Sequence, residues 1–277
     1  RGSMTAESQT TSGARYVLAE PAIELAVAEV RFQAGPGAVP EDTGLAFREA
    51  VREAGLAMDV FEPVIAQELN IEMTPTGGNA TSVSAAQGWA CRDSATGVAA
   101  VVMPFSVAVQ TREYVRWSVT FDPILRMALR AVRELLGASL RNRVGLRYVN
   151  RFVDVAAKTP SDWATRFHPS LLSVFTAGPL AQLARTGQQQ LDLAWDDRTV
   201  GTLRHGAFVD PTVNHAYSYL LDIDISDAGT EQFDPANCLE LLTAMNRKSA
   251  ELFRSLLAED HLDERGLVIE PEEGSAE

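Results

Sequence analysis

No apolar run in this chain reaches the roughly 18 to 20 residues that a membrane-spanning helix needs. The longest apolar stretch, Gly97 to Phe105, has the length of a strand. The chain opens with no basic segment followed by an apolar one, so no secretory signal is visible. Arg1-Gly2-Ser3 ahead of Met4 reads as a cloning remnant. Cysteine is scarce: Cys91 and Cys238 lie far apart and cannot supply a CxxC zinc or redox motif. Free thiols in a cytoplasmic protein are the expectation, with a disulfide as the alternative. Positive charge is also short. Lys and Arg number 24 against 37 Asp and Glu, for a net charge of −13. That balance argues against nucleic-acid binding, where phosphates call for clustered Lys and Arg.

Signatures of common chemistries are missing as well. There is no GxSxG nucleophile elbow, no GxxxxGK[ST] phosphate loop and no GxGxxG dinucleotide turn. The histidines His168, His205, His215 and His261 form neither HxH nor HExxH, and no Cys lies near them in sequence. A zinc site therefore has little support, and no cofactor is expected.

What is present is the composition of a globular protein. The 277 residues are 46% hydrophobic and 22% charged, enough for one large domain or two small ones. Residues Ile23 to Gln33 alternate, with Ala26, Ala28, Val30 and Phe32 on one face, which predicts a long strand. Ala34 to Gly37 is a loop, and Asp42 and Thr43 can cap a helix running to about Ala54. Pro75 to Asn79 is a turn cluster. Ser82 to Arg92 and Gly97 to Phe105 read as strands around a turn at Asp93 to Gly97, and Val107 to Val109 extends the sheet. Asp122 to Leu136 carries a helical stripe of Leu125, Ala128, Leu129, Val132, Leu135 and Leu136, and Gly137 closes it.

The second half follows the same order. Arg143 to Val155 is a strand, and Ser161 caps a helix holding Trp163 and Phe167. Gln182 to Trp195, Thr199 to Phe208 and Tyr217 to Ile225 are strands, and Asp234-Pro235 opens a long helix. The fold class predicted is α+β. It has two related halves, each strand, helix, antiparallel strands and long helix, with the helices packed on a curved antiparallel sheet. An internal duplication of about 120 residues is suspected from element order. The expected boundaries are a disordered N-terminus over 1–15, a first half over 16–139, a second half over 140–258 and an acidic tail over 259–277. From Ala258 to Glu277 there are eight acidic residues against one arginine, so a solvated tail is expected, with docking on a basic partner as the other reading.

Three stretches carry a resemblance. Pro21-Ala22-Ile23-Glu24-Leu25-Ala26-Val27-Ala28-Glu29-Val30-Arg31-Phe32 resembles a Pro-Pro-Ile-Val-Glu-Ala-Val-Phe-Glu-Ile-Arg-Phe opening. Gly88-Trp89 followed by Tyr114 and Trp117 resembles a Gly-Trp…Tyr-x-x-Trp pattern. Gly145-Leu146-Arg147-Tyr148-Val149-Asn150-Arg151 resembles a Gly-Leu-Arg-Tyr-Ile-Asn-Arg strand, the most specific of the three. Together they resemble a sporadically distributed family of bacterial proteins, without an established function, over roughly Tyr16 to Leu257. The opening departs from the pattern, since the family's second Pro falls on Ala22 and its first Glu on Leu25, with Glu24 one position early. Glu29 matches its second acidic position. The resemblance implies an architecture and a bacterial origin, and no reaction.

The strand around this motif holds the candidate site. Alternation places Arg143, Arg147 and Arg151 on one face, and Val144, Leu146, Tyr148, Asn150 and Phe152 on the other. Three guanidinium forks on one face can clamp a carboxylate or phosphate. They can equally form a ladder of ion pairs with Glu29, Asp222 or Asp224 on neighbouring strands. Asn150 reads as a hydrogen-bonded structural amide rather than a catalytic one. Asp222 and Asp224 share a strand face, a spacing that could hold Mg²⁺ or Ca²⁺ but is common by chance; no metal is expected. The tryptophans with Tyr148 and Phe152 read as core before cavity lining.

The function expected is a non-catalytic binding or interaction protein. It takes a protein partner or a small anionic ligand through the sheet face or the cleft between the halves. The alternative is an enzyme in which Arg147 and Arg151 bind an anionic substrate and Glu29, Asp222 or Asp224 acts as acid or base. Fully paired arginines speak against that alternative. A third reading is a homo-oligomer using an exposed strand edge or the apolar side of a helix. No membrane partner is expected.

Overall fold

Alternation along Ile23–Gln33 decides the centre of the molecule. Ala26, Ala28, Val30 and Phe32 are buried, while Leu25, Val27 and Glu29 between them are half-exposed. That period of two makes a strand covered on one face. The structure is a computed structural model that describes residues 14–19, 21–33, 37–74 and 77–271.

In chain order the first half holds β1 (Ala14–Leu18), β2 (Ile23–Gln33), α1 (Glu41–Arg52), β3 (Val60–Thr74), β4 (Gly77–Arg92), β5 (Ala99–Met103), β6 (Ser106–Thr111), α2 (Trp117–Thr120) and α3 (Asp122–Leu136). The second half holds β7 (Leu140–Val153), a 3-10 helix (Pro160–Thr165), α4 (Pro169–Thr176), β8 (Gly187–Ala194), β9 (Thr199–Asp210), β10 (Ala216–Asp227), β11 (Glu231–Gln232), α5 (Pro235–Leu256), α6 (Glu259–Glu264) and β12 (Leu267–Pro271).

The protein is α+β. One sheet of ten strands runs in the order β3-β4-β5-β6-β2-β7-β10-β9-β8, with β11 pairing the start of β7. Its ladders are antiparallel throughout. The two halves meet where β2 pairs β7, with Val27 opposite Arg147 and Glu29 opposite Gly145. The halves therefore share a single sheet.

Helices α1, α3 and α5 lie side by side on one face of it. α3 presents Leu125, Ala128, Leu129 and Val132, all fully buried, and ends on Gly137 in the left-handed conformation (φ 66°). α5 starts as its sequence predicts: Pro235 takes the first position and the Asp234 carboxylate accepts from the Asn237 N–H. α1 is drawn in by Trp89. Its indole stacks on Phe61 (4.6 Å, 7°) and donates to the Val39 carbonyl (2.9 Å). Gly44 on α1 lies so close that a β-carbon there would sit 2.5 Å from the indole, so only glycine fits.

Several expectations need correcting. α1 starts at Glu41 and ends at Arg52, with Pro40 at its N-cap, so Asp42 and Thr43 lie in its first turn and do not cap it. Thr159, not Ser161, closes the capping box of the 3-10 helix, and α4 is a separate helix begun by His168. The strand expected from Gln182 starts only at Gly187. Residues 60–74, to which no element is assigned above, form the long strand β3. Gly77 to Asn79 open β4 and are not turn residues; Pro75 and Thr76, like Ala34 to Pro36 of the expected loop, lie outside the described residues.

The tail differs most. Residues 259–264 form α6, with His261 and Leu262 buried, and β12 pairs antiparallel with β1 from Leu18–Leu267 to Ala14–Pro271. Four of the eight acids that suggested a solvated tail, Glu259, Asp260, Asp263 and Glu264, are exposed on this helix, while His261 and Leu262 between them are buried; residues 272–277 lie outside the described residues. Ala14 and Arg15, expected in a disordered N-terminus, belong to β1; residues 1–13 lie outside the described residues.

Candidate functional site

Among the described residues, the helices pack on one sheet face and none on the other. On the open face β7 places Arg143, Arg147 and Arg151, as alternation predicts, and each guanidinium meets a carboxylate. Arg147 makes a two-pronged contact with Asp222, Nε and Nη2 each 2.8 Å from a carboxylate oxygen. This fork raises the Arg147 pKa, chiefly through the hydrogen bond to Asp222. Arg204 on β9 reaches the same carboxylate (3.4 Å) and also donates to Gln190 on β8 (3.1 Å). Arg143 bridges Glu29 on β2 (3.0 Å) and Asp224 on β10 (3.3 Å), and Arg31 shares Glu29 (3.0 Å).

Arg151 ends the row. Its Nε donates to Asp210 (2.8 Å), and its Nη1 lies 3.5 Å from Glu24. Asp210 also accepts from Ser218 Oγ (2.8 Å) and from the hydroxyl and N–H of Thr212 (2.7 and 3.0 Å). Its burial pushes the carboxyl pKa up, but these hydrogen bonds outweigh burial and hold it at about 2. The folded value lies below the ordinary 3.8, so the stabilisation is complete above about pH 4 and is lost as pH falls through about 2. Asp210→Asn is expected to flatten the acid-side loss of stability between those values, read from urea melts at stepped pH. An unchanged slope contradicts the assignment.

The arrangement is an ion-pair lattice across β2, β7, β10 and β9. Five of the seven residues singled out from the sequence (Arg143, Arg147, Glu29, Asp222 and Asp224) come together in it directly. Arg151 lies on the same face but forms a cluster of its own with Glu24 and Asp210. Asn150 points to the opposite, helix-covered face, where it is buried and donates to the Leu221 carbonyl (3.1 Å). Asp222 and Asp224 are both held by guanidinium groups. Among the described residues no three His, Cys, Asp or Glu side chains are grouped so as to hold a metal ion.

Sequence reasoning missed Arg204, Asp210 and Glu24. Arg204 was legible in principle as the polar position of an alternating strand. Asp210 and Glu24 reach Arg151 only through the β9–β10 turn and the irregular pairing between Ile23 and Leu25, neither of which shows in composition.

Two shallow clefts flank Val153 at the end of the β2–β7 seam. One, of about 360 Å³, brings Arg151 and Glu24 to the surface beside Arg112. The other, of about 230 Å³, lies between Arg166, His261 and Arg265. A further set of titratable groups belongs to the core. His205 is buried against the Tyr219 hydroxyl (2.8 Å), and burial lowers its pKa and raises that of Tyr219. Tyr148 donates to Asn246 on α5 (2.9 Å), and burial raises it too. Both cysteines are free and buried, and burial pushes Cys91 up to about 12 and Cys238 up to about 11, so neither offers a thiolate.

No protein-family model matches the chain, and no curated protein matches it. No helix among the described residues is long and apolar enough to cross a membrane.

Proposed function

We propose that the chain is a cytoplasmic, non-catalytic binding protein of the sporadically distributed bacterial family it resembles, and that it recognises a protein partner through the open face of its sheet. One observation carries the reading: the helix-free face displays a lattice of ion pairs whose members are already fixed in place. A preorganised array of both charge signs suits a protein surface with complementary charges, giving specificity and fast encounter. It suits a small anion poorly. A free anion would have to displace Asp222 from the Arg147 fork or Asp210 from Arg151, and both of those carboxylates are buried. The same pairing disfavours the enzyme reading, which needs an unoccupied guanidinium fork beside a carboxylate free to move protons. The shared order of strands and closing helix in the two halves supports reading them as copies of one ancestral unit.

The test is a photo-crosslinker installed in the native host. Thr202 and Gln190 report from the sheet face, and Glu134 and Glu240 from the helical side. The expected outcome is a discrete crosslinked species from the sheet positions alone, weakened by salt because exposed charges are screened. No species from the sheet face, or the same species from the helices, overturns the reading.

A further inference from the structure

β1 and β12, near the two ends of the chain, pair with each other and with no other strand among the described residues. Such a two-stranded ribbon is marginal by itself and depends on what ties it down. β12 follows α6 after two residues, and α6 is seated by two buried side chains, His261 and Leu262. Backbone contacts extend the seat. The Ala258 N–H donates to the Arg166 carbonyl (2.9 Å), and Leu257 bridges to Phe167. One of the two anchoring side chains is thus an imidazole, which titrates near neutral pH.

The ring of His261 lies among cations. Arg265, one turn on, donates from Nε to the ring Nε2 (3.2 Å). A guanidinium N–H only donates, so Nε2 is the bare, accepting nitrogen. The ring proton then sits on Nδ1, 3.4 Å from Glu264. Arg166 lines the same cleft of about 230 Å³. Both guanidinium groups are held in place. Arg166 is paired with Asp154 and lies over the Trp163 ring (4.8 Å), and Arg265 lies over the Phe152 ring (4.9 Å). The other ring neighbours of His261, Phe152 and Phe167, are apolar. Of the two carboxylates lining the cleft, Asp154 is engaged by Arg166, and Glu264 is 71% exposed, where solvent screens its charge.

We propose that α6 is a pH-sensitive latch: a proton taken from solvent onto His261 Nε2 turns the hydrogen bond from Arg265 into a contact between two donors, sets a third cation beside Arg265 and Arg166, and releases the β1–β12 ribbon from the body. The only nitrogen open to the incoming proton is the one that Arg265 faces, so closure and protonation exclude each other. Burial first, and then the two arginines, hold the His261 pKa below its ordinary 6.5 against the pull of Glu264. The stabilisation from the neutral ring is therefore complete above about pH 6.5 and is lost as pH falls below it. Linkage sets the ceiling: at about pH 5 an imidazole of ordinary pKa favours the open form by at most about 30-fold.

The latch stands apart from the sheet-face partner proposed above, since it uses a different part of the molecule. The test is amide hydrogen exchange of the full chain at about pH 7.5 and about pH 5, corrected for intrinsic rates. Opening over residues 14–18 and 259–271 is expected to rise by ~5- to 30-fold at the lower pH, with β7 unchanged. His261→Gln keeps an acceptor but cannot titrate, and should abolish the rise. In the parent protein, NMR of the His261 ring should give a titration midpoint below the ordinary 6.5. Equal protection of the ribbon at both pH values, a rise that persists in His261→Gln, or a midpoint at or above the ordinary value overturns the proposal.

Discussion

Asp227→Ala is expected to lower the unfolding free energy by about 3–5 kcal/mol, because it strands a buried cation. The cation is Arg141, 1% exposed at the start of β7. Its Nη1 donates to Asp227 (3.0 Å) and to the Gly229 carbonyl (3.0 Å), and its Nη2 meets Glu231 on β11 (2.6 Å). Arg198 brackets the same two carboxylates from outside, at 3.2 Å from Asp227 and 2.6 Å from Glu231. Burial raises the Asp227 pKa, but the Arg141 hydrogen bond, the Gly229 N–H and the two positive charges outweigh it, and the net shift is downward. Removing the carboxylate leaves Arg141 with a half-exposed glutamate and one carbonyl, while its Nε already has no partner. Urea unfolding followed by tryptophan fluorescence measures the loss. The double variant Arg141→Met/Asp227→Ala is expected to regain much of it, since removing both charges also removes their desolvation cost. A single-variant loss under about 1 kcal/mol would falsify the claim that the pair is interior.

A loss of similar size, about 3–5 kcal/mol, is expected from Phe152→Ala, for a different reason. Phe152 is fully buried near the end of β7. Its ring meets Phe167 edge-on (4.9 Å, 88°) and stacks near Phe253 of α5 (6.1 Å). It also touches the terminal clasp: His261 of α6 lies 5.9 Å away, and the Arg265 guanidinium lies 4.9 Å from the ring centre. Arg265 Nε donates to His261 Nε2 (3.2 Å), which requires a neutral imidazole, and burial lowers the His261 pKa in keeping with that. Truncation therefore opens a cavity and also loosens the seat of α6, to which β12 and its partner β1 are joined. Hydrogen exchange should speed up over residues 14–18 and 259–271 beyond the change elsewhere. Unchanged protection in α6 would show that the clasp is held by other contacts.

Where period and punctuation agreed, the elements were legible before the fold was seen. Ala26 to Phe32 alternate, and β2 is a strand; Leu125 to Val132 repeat at helical spacing and stop at Gly137, and α3 does the same. The cross-strand ladder was also legible, since arginines two and four positions apart on a strand next to spaced carboxylates have few other places to go. β3 was missed although Leu69, Ile71 and Met73 alternate with Asn70, Glu72 and Thr74, a period of two that reads as a strand. The folded tail escaped because two anchoring residues, His261 and Leu262, are too few to offset the signal of the acids around them. Glu24 and Asp210 escaped because a turn and a bulge, not a pattern, carry them to Arg151.

The β2–β7 seam has a consequence in time. Its paired residues, such as Val27 and Arg147, are 120 positions apart in the chain. As the polypeptide leaves the ribosome, the first half has its own helices and hairpins long before β7 exists. Until then one long edge of β2 stands bare in the middle of the future sheet, a ready template for a wrong strand. Pairings this distant close slowly. The newborn chain thus passes through a stage of exposed edge whose length is set by the speed of translation. The arginine row of β7 comes to that edge late, and Arg143 then joins Arg31 on Glu29.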